Sequence, residues 1–254
     1  MNKFYEAITT QNVPLLQEFI LDTEIKFQLD FPEEFFSDED FEYELEMLPL
    51  MKAVELGNLE IIKILLQGGD SLPNWQISLG SALELAIQLG KAKIVEMLLQ
   101  AGANFNQAGS VPPLITAVEY QHIDIVKILI EAGADINCVD ESAITPLIMA
   151  VLVKNIYLVN FLLEKGANVD GANLDDYHCC FRSQMNGKFL SEGTPLIYAA
   201  REGNLQIVKL LVEAGANVNI ISLEHGNISA LNMSIQEGHR EVCDYLLPLT
   251  FDPK

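Results

Sequence analysis

Basic residues are scarce in this chain: 15 Lys and Arg stand against 36 Asp and Glu, for a formal net charge of −21 and a pI near 4.4. Such a surface repels phosphate backbones and anionic membranes, which argues against direct nucleic-acid or membrane binding. Long apolar runs are missing as well. The longest, Pro146 to Val153, falls far short of the ~18–20 residues that cross a bilayer. The first residues, Met1-Asn2-Lys3-Phe4-Tyr5-Glu6, lack the apolar stretch of a secretory signal. The four cysteines (Cys138, Cys179, Cys180 and Cys243) form no disulfide framework, so reduced thiols in a cytoplasmic protein are expected. Adjacent Cys179 and Cys180 rarely bond to each other, because the ring is strained. Apolar content is not short: it is 50%, against 20% charged. That supports a packed core and argues against disorder.

What the chain has instead is a repeat. The clearest copy runs Thr194-Pro195-Leu196-Ile197-Tyr198-Ala199-Ala200-Arg201-Glu202-Gly203-Asn204-Leu205 and ends Gly215-Ala216-Asn217-Val218-Asn219. Others start at Leu48-Pro49-Leu50, Ser81-Ala82-Leu83, Pro112-Pro113-Leu114, Thr145-Pro146-Leu147 and Ser229-Ala230-Leu231. The second residue of each start falls at 49, 82, 113, 146, 195 and 230, giving steps of 33, 31, 33, 49 and 35. With its Pro-Leu start, paired alanines, central Gly, Ile-Val, Leu-Leu and Gly-Ala, this unit resembles the ankyrin repeat over roughly residues 48–247.

The unit also has a direct physical reading. Thr145 and Thr194 are good N-caps, and the following Pro sits at the first helical position, where no amide donor is needed. Leu196, Ala199 and Ala200 follow at helical spacing, and Gly203-Asn204 breaks that helix. Leu205, Ile207, Val208, Leu210 and Leu211 make a second, wider apolar stripe. Gly215 ends it as a left-handed cap. One such pair cannot bury its apolar face alone, so copies must stack.

Residues 4–20 imitate the unit, with Ala7 matching Ala53 and Asn12 matching Asn58. The last copy carries polar changes (Asn232, Ser234, Arg240, Asp244) and is expected to stop at Pro248. The expected fold is therefore all-α: helix-turn-helix repeats with hairpin or finger loops, about seven repeats in a single repeat domain over 1–254. Its expected parts are a degenerate first repeat (1–29), an insertion (30–47), four repeats (48–170), an insertion loop (171–193), two repeats (194–247) and a tail (248–254).

The first insertion concentrates charge. Residues 30–46 hold nine acids, no base and five aromatics: Phe31, Phe35, Phe36, Phe41 and Tyr43. This is either a docking segment for a basic, partly apolar partner or an insertion whose aromatics fold back on the first helices. Ser37-Asp38-Glu39-Asp40 lacks the alternating ligands and central Gly of a calcium loop. The second insertion holds His178-Cys179-Cys180, but no second Cys/His pair stands at zinc-finger spacing. An extended finger loop is the expectation there.

No set of residues takes on catalytic roles. His122 and His239 occupy the same place in the repeat as Asn58, Asn155 and Asn204, which makes them structural. The glycines are helix breakers at repeat spacing rather than a phosphate loop, and no Gly-x-Ser-x-Gly or His-Glu-x-x-His motif occurs. The expectation is a non-enzyme without cofactor or metal.

The ankyrin resemblance implies recognition through finger tips and the ends of the first helices, on a concave groove. The pairs there are Glu55-Leu56, Gln88-Leu89, Glu119-Tyr120, Leu152-Val153, Arg201-Glu202 and Gln236-Glu237. Leu56, Leu89, Tyr120 and Leu152/Val153 put apolar side chains at a place that is usually polar, either as an interaction patch or covered within the chain. Trp75, the only Trp, falls in the finger before the copy starting at 81 and is a candidate hot spot. The His that often follows Pro-Leu in the family is replaced here by Met51, Glu84, Ile115, Ile148, Ile197 and Asn232, so apolar packing is expected to replace its bond between repeats. The expected partner is a protein or peptide with basic and apolar surface, bound by a monomer. An acidic inhibitor that imitates nucleic acid is the alternative, and an enzyme or metal protein using 171–193 is a third.

Overall fold

The computed structural model describes residues 3–21, 49–68, 75–105, 111–171, 193–222 and 228–250. Fourteen helices and one two-stranded hairpin lie among them. In chain order the helices are α1 (Lys3–Thr9), α2 (Val13–Leu21), α3 (Pro49–Leu56), α4 (Leu59–Gly68), α5 (Trp75–Gln88), α6 (Ala92–Gln100), α7 (Pro113–Glu119), α8 (Ile123–Glu131), α9 (Pro146–Leu152), α10 (Ile156–Glu164), α11 (Pro195–Arg201), α12 (Leu205–Glu213), α13 (Ala230–Gln236) and α14 (Arg240–Thr250). The strands β1 (Ile221–Ser222) and β2 (Ile228–Ser229) pair antiparallel, Ile221 opposite Ser229.

Two compact units result. The first comprises residues 1–109 and 124–134, the second 110–123 and 135–254. Within the first, α1, α3 and α5 pack side by side, as do α2, α4 and α6, and each first helix packs on its own second helix. Within the second, α7, α9, α11 and α13 form one row and α10, α12 and α14 another.

The starts of the first helices follow the cap chemistry. Thr145 Oγ1 accepts from the Ile148 amide at 3.2 Å, and Thr194 Oγ1 from Ile197 at 3.3 Å, with Pro146 and Pro195 at the first helical position. Ser229 Oγ does the same for Asn232, at 3.2 Å. Second helices start on Asn58, Asn155 and Asn204, whose Oδ1 atoms accept from Ile61, Leu158 and Ile207. Their ends close with the Leu-Leu…Gly-Ala signature. Ala103 N donates to Leu98 O while Gly102 N donates to Leu99 O, and the pattern repeats at Gly133-Ala134, Gly166-Ala167 and Gly215-Ala216. These glycines have φ between +86° and +97°, the left-handed backbone that such a cap requires.

Burial matches the stripes. Ile207, Val208 and Leu211 of α12 are buried, as are Ala199 and Ala200 of α11. A fully buried Leu or Ile contributes about 1.5–3 kcal/mol. Ile115, Ile148 and Ile197 are buried where the family often has His, so apolar packing holds that position.

Two boundaries differ from expectation. Trp75 is the first residue of α5, a 14-residue helix, and not part of a finger. Between Trp75 and Ser81 nothing stops the helix except Gly80, which costs only about 1 kcal/mol, and Leu79 is buried. The last helix does not stop at Pro248 but runs to Thr250. Pro248 stands in the final turn, where its fixed φ is helical and only one backbone bond is lost. Residues 30–47 and 172–192, with Phe35, Phe36, Phe41, Tyr43, His178, Cys179 and Cys180, lie outside the described residues.

Candidate protein-interaction surface

The turn joining the two helices of a pair is built the same way in six of the seven described pairs. His122 N donates to Ala117 O and Gln121 N to Val118 O, both at 3.0 Å, closing α7. Matching bonds close α1, α5, α9, α11 and α13. The closure needs one left-handed residue: Gln11, Gly57, Gly90, Gln121, Lys154, Gly203 or Gly238, all with φ between +54° and +77°. The residue just before it ends the first helix and projects from the turn. In successive pairs from α3 onward this residue is Leu56, Leu89, Tyr120, Val153, Glu202 and Glu237.

Three of these are exposed apolar side chains. Leu56 is 36% exposed, Leu89 45% and Tyr120 49%. Glu55 and Glu119 beside them are exposed, whereas Gln88, Leu152, Val153, Arg201 and Glu202 are half-buried. Leu56 and Leu89 belong to the first unit, Tyr120, Leu152 and Val153 to the second. Tyr120 stacks on His122 with ring centroids 6.1 Å apart. At Arg201 and Glu202 charge is locally compensated. Glu202 pairs with Lys154 at 3.0 Å and Arg201 Nε at 3.6 Å, and the Arg201 guanidinium lies over the Tyr198 ring.

The turns are tied to one another by contacts that pair residues 34 to 48 positions apart. Asn58 Nδ2 donates to Gln11 Oε1 at 3.1 Å, and Asn155 Nδ2 to Gln121 Oε1 at 3.0 Å. Lys91 Nζ donates to Glu55 O at 2.9 Å, and His239 Nε2 to Arg201 O at 2.8 Å. Lys154 reaches Glu202 by its ion pair. Each non-glycine left-handed residue therefore hands its side chain to the following turn. Where Gly57 or Gly203 stands instead, the long residue Lys91 or His239 crosses over it to a backbone carbonyl. None of this shows within one copy of the repeat; it shows only when the turn column is read against the next N-cap column. The Asx loops are linked similarly: Asn168 N donates to Asn137 Oδ1 and Asn217 N to Asp170 Oδ1.

Among the described residues the titrating groups with shifted values are Cys138 and Glu84. Burial, with Asp135 and Asp140 adding to it, pushes the Cys138 thiol up to about 12, so it stays protonated at neutral pH. Burial also raises the Glu84 carboxyl above its ordinary value; its Oε1 accepts from Gln88 Nε2 at 3.5 Å. Among the described residues no cluster of His, Cys, Asp and Glu is arranged to hold a metal, and no helix is long and apolar enough to cross a membrane.

The family model for ankyrin repeats matches the chain in three copies, over residues 6–109, 108–173 and 172–254. The chain belongs to the ankyrin repeat family. No curated protein matches it as a relative. Ankyrin repeats generally serve as protein–protein interaction modules and are typically non-catalytic. In this ankyrin repeat protein, the exposed helix ends at Leu56, Leu89 and Tyr120 are held by turns whose neighbours lock them in place.

Proposed function

We propose that the chain is a run of seven ankyrin repeats forming one repeat domain that acts as a non-catalytic binding module for a protein or peptide. The observation that carries the reading is the recurrence of an exposed apolar side chain at one place in three successive repeats: Leu56, Leu89 and Tyr120. Large apolar side chains left exposed at the same place of one repeat after another are candidates for a surface that a partner covers. Exposed Glu55 and Glu119 beside them favour a partner with basic as well as apolar groups. The cross-repeat bonds hold the turns before binding, which lowers the ordering cost of association. Half-buried Gln88 of the first unit and Leu152, Val153, Arg201 and Glu202 of the second are further candidate contacts, as are Trp75 and the 30–46 segment. Cys138 and Cys243 are free thiols, which suits a cytoplasmic protein.

The test takes a partner captured from the native host, identified by mass spectrometry, purified and titrated calorimetrically. The triple variant Leu56→Ser, Leu89→Ser and Tyr120→Ser weakens binding at least tenfold, while Lys63→Ser, an exposed site on α4, leaves it unchanged. Equal affinity of the triple variant and the parent sinks the reading.

A further inference from the structure

Glu84 is the one charged residue among the 14 of α5. Ala82, Leu83, Ala86 and Ile87 are buried, so the other side of the helix holds Ser81, Glu84, Leu85, Gln88 and Leu89. On that side Glu84 and Gln88 stand one turn apart, and so do Leu85 and Leu89. Glu84 and Leu85 are half-buried, while Leu89 is exposed. Ile115, Ile148 and Ile197 are buried at the place that Glu84 holds in its own repeat, so a carboxylate stands where other repeats are apolar. Its hydrogen bond is long and uncharged: Gln88 Nε2 donates to Glu84 Oε1 at 3.5 Å. The helices packed on α5 within the first unit commit their cations elsewhere. Lys52 of α3 pairs with Glu55 and Lys93 of α6 with Glu96, both at 2.7 Å. Among the described residues no ion pair reaches Glu84.

We propose that Glu84 anchors an arginine of the partner, whose guanidinium pairs with the carboxylate while its aliphatic stem lies along Leu85 and Leu89. This deepens the function proposed above and rests on its reading of the helix ends. A carboxylate half withdrawn from water without a counter-charge destabilises the free chain, and an incoming cation relieves that cost. The raised pKa of Glu84, whose cause is burial, reports the same missing counter-charge. Arginine suits the place better than lysine, because a guanidinium is more weakly hydrated and meets a carboxylate with two N–H groups. Leu89 lies five residues beyond Glu84, about 7.5 Å along the helix axis, a span comparable with an extended arginine side chain. Such a stem covers apolar surface while its head stays on the charge. The net charge of −21 attracts the cation from a distance.

The probes are two short peptides, acetyl-Leu-Arg-Leu-amide and its uncharged analogue with citrulline in place of arginine, titrated into the full chain and followed by NMR. The arginine peptide is expected to bind at least tenfold more tightly and to shift the Glu84 carboxyl carbon. Its affinity falls as pH drops through the raised pKa of Glu84, because the protonated carboxyl no longer pairs. Glu84→Gln removes a buried charge and keeps the shape, so it folds at least as well as the parent; in it the two peptides bind alike and the pH dependence is gone. Leu56→Ser with Leu89→Ser weakens both peptides and keeps the preference for arginine. Equal binding of the two peptides by the parent, no binding of either, or a preference that survives Glu84→Gln overturns the proposal. If the two peptides bind alike and the leucine substitutions weaken both, the anchor fails and the helix-end reading stands. If the preference depends on Glu84 and the leucine substitutions change nothing, the anchor stands and the helix-end reading fails.

Discussion

At the turn inside each repeat one residue must take a left-handed backbone, and four of the seven positions meet that demand with Gly. Gly203 carries a second constraint: a Cβ there would collide with the His239 ring, which donates to Arg201 O. Gly238, with a similar φ of +77°, faces open space. Gly238→Ala therefore costs only the left-handed penalty, about 1 kcal/mol. Gly203→Ala costs that plus an overpacking term of about 1–3 kcal/mol. Urea denaturation of the two variants measures the difference, and removing the ring in Gly203→Ala/His239→Ala recovers part of it. Equal losses for the two glycines would show that His239 yields without cost. Glu84 makes a pH-dependent statement at the same scale. Its pKa is raised by burial in the folded chain, so the folded state holds the proton more tightly than the unfolded state. Its contribution to stability is present in full below the ordinary 4.5 and is lost as pH rises through the raised value. Glu84→Gln, which removes the charge and keeps the shape, therefore raises the urea midpoint at pH 7. The gain fades as pH falls through the raised value and is gone below 4.5. A gain that persists in acid would exclude desolvation as its cause.

The element scale is where repeats join. Gln121 takes φ +58° without the freedom of Gly, and its side chain accepts from Asn155 of the following turn. Gln121→Ala keeps the strain and loses the bond, while Gln121→Gly loses the bond but relieves the strain. The Gly variant is therefore the more stable of the two by about 1 kcal/mol, read from urea midpoints. Asn155 also caps α10, so only a double-mutant cycle isolates the cross-repeat term, expected at about 0.5–1.5 kcal/mol. A coupling indistinguishable from zero would mean that the bond only marks where two turns already meet. This contact shows what was legible in the chain and what was not. Thr145-Pro146-Leu147 announces a helix start within three residues, and Gly215-Ala216 a helix end within two, because caps are local chemistry. The exposed apolar helix ends were readable for the same reason, as a fixed offset from the turn. Gln121 and Asn155 stand 34 apart, and each already had a local explanation that concealed the other. Trp75 was misplaced because the repeat spacing puts a helix start at Ser81, although Pro73-Asn74 stands directly before Trp75, and Pro248 because the usual veto on proline weakens in a last turn.

For the whole molecule the decisive quantity is where the charge sits. Nine of the 36 acids fall in residues 30–46, so deleting that segment takes the formal charge from −21 to −12. The repeats themselves keep small local compensations, such as Lys154–Glu202 and Lys52–Glu55. A concentrated charge outside a docking face acts through the long-range field, which accelerates encounter with a basic partner and is screened by salt. Side chains within the face act after encounter and set the rate of departure. The two roles separate kinetically. With the identified partner immobilised on a biosensor, deletion of 30–46 lowers the association rate and flattens its salt dependence while leaving dissociation unchanged. The Leu56, Leu89 and Tyr120 substitutions speed dissociation by tenfold or more and leave the salt dependence of association as it was. If the deletion instead speeds dissociation as much as the helix-end substitutions do, then Phe35, Phe36, Phe41 and Tyr43 belong to the docking face itself. The acidity would then be part of the contact and not only a steering field.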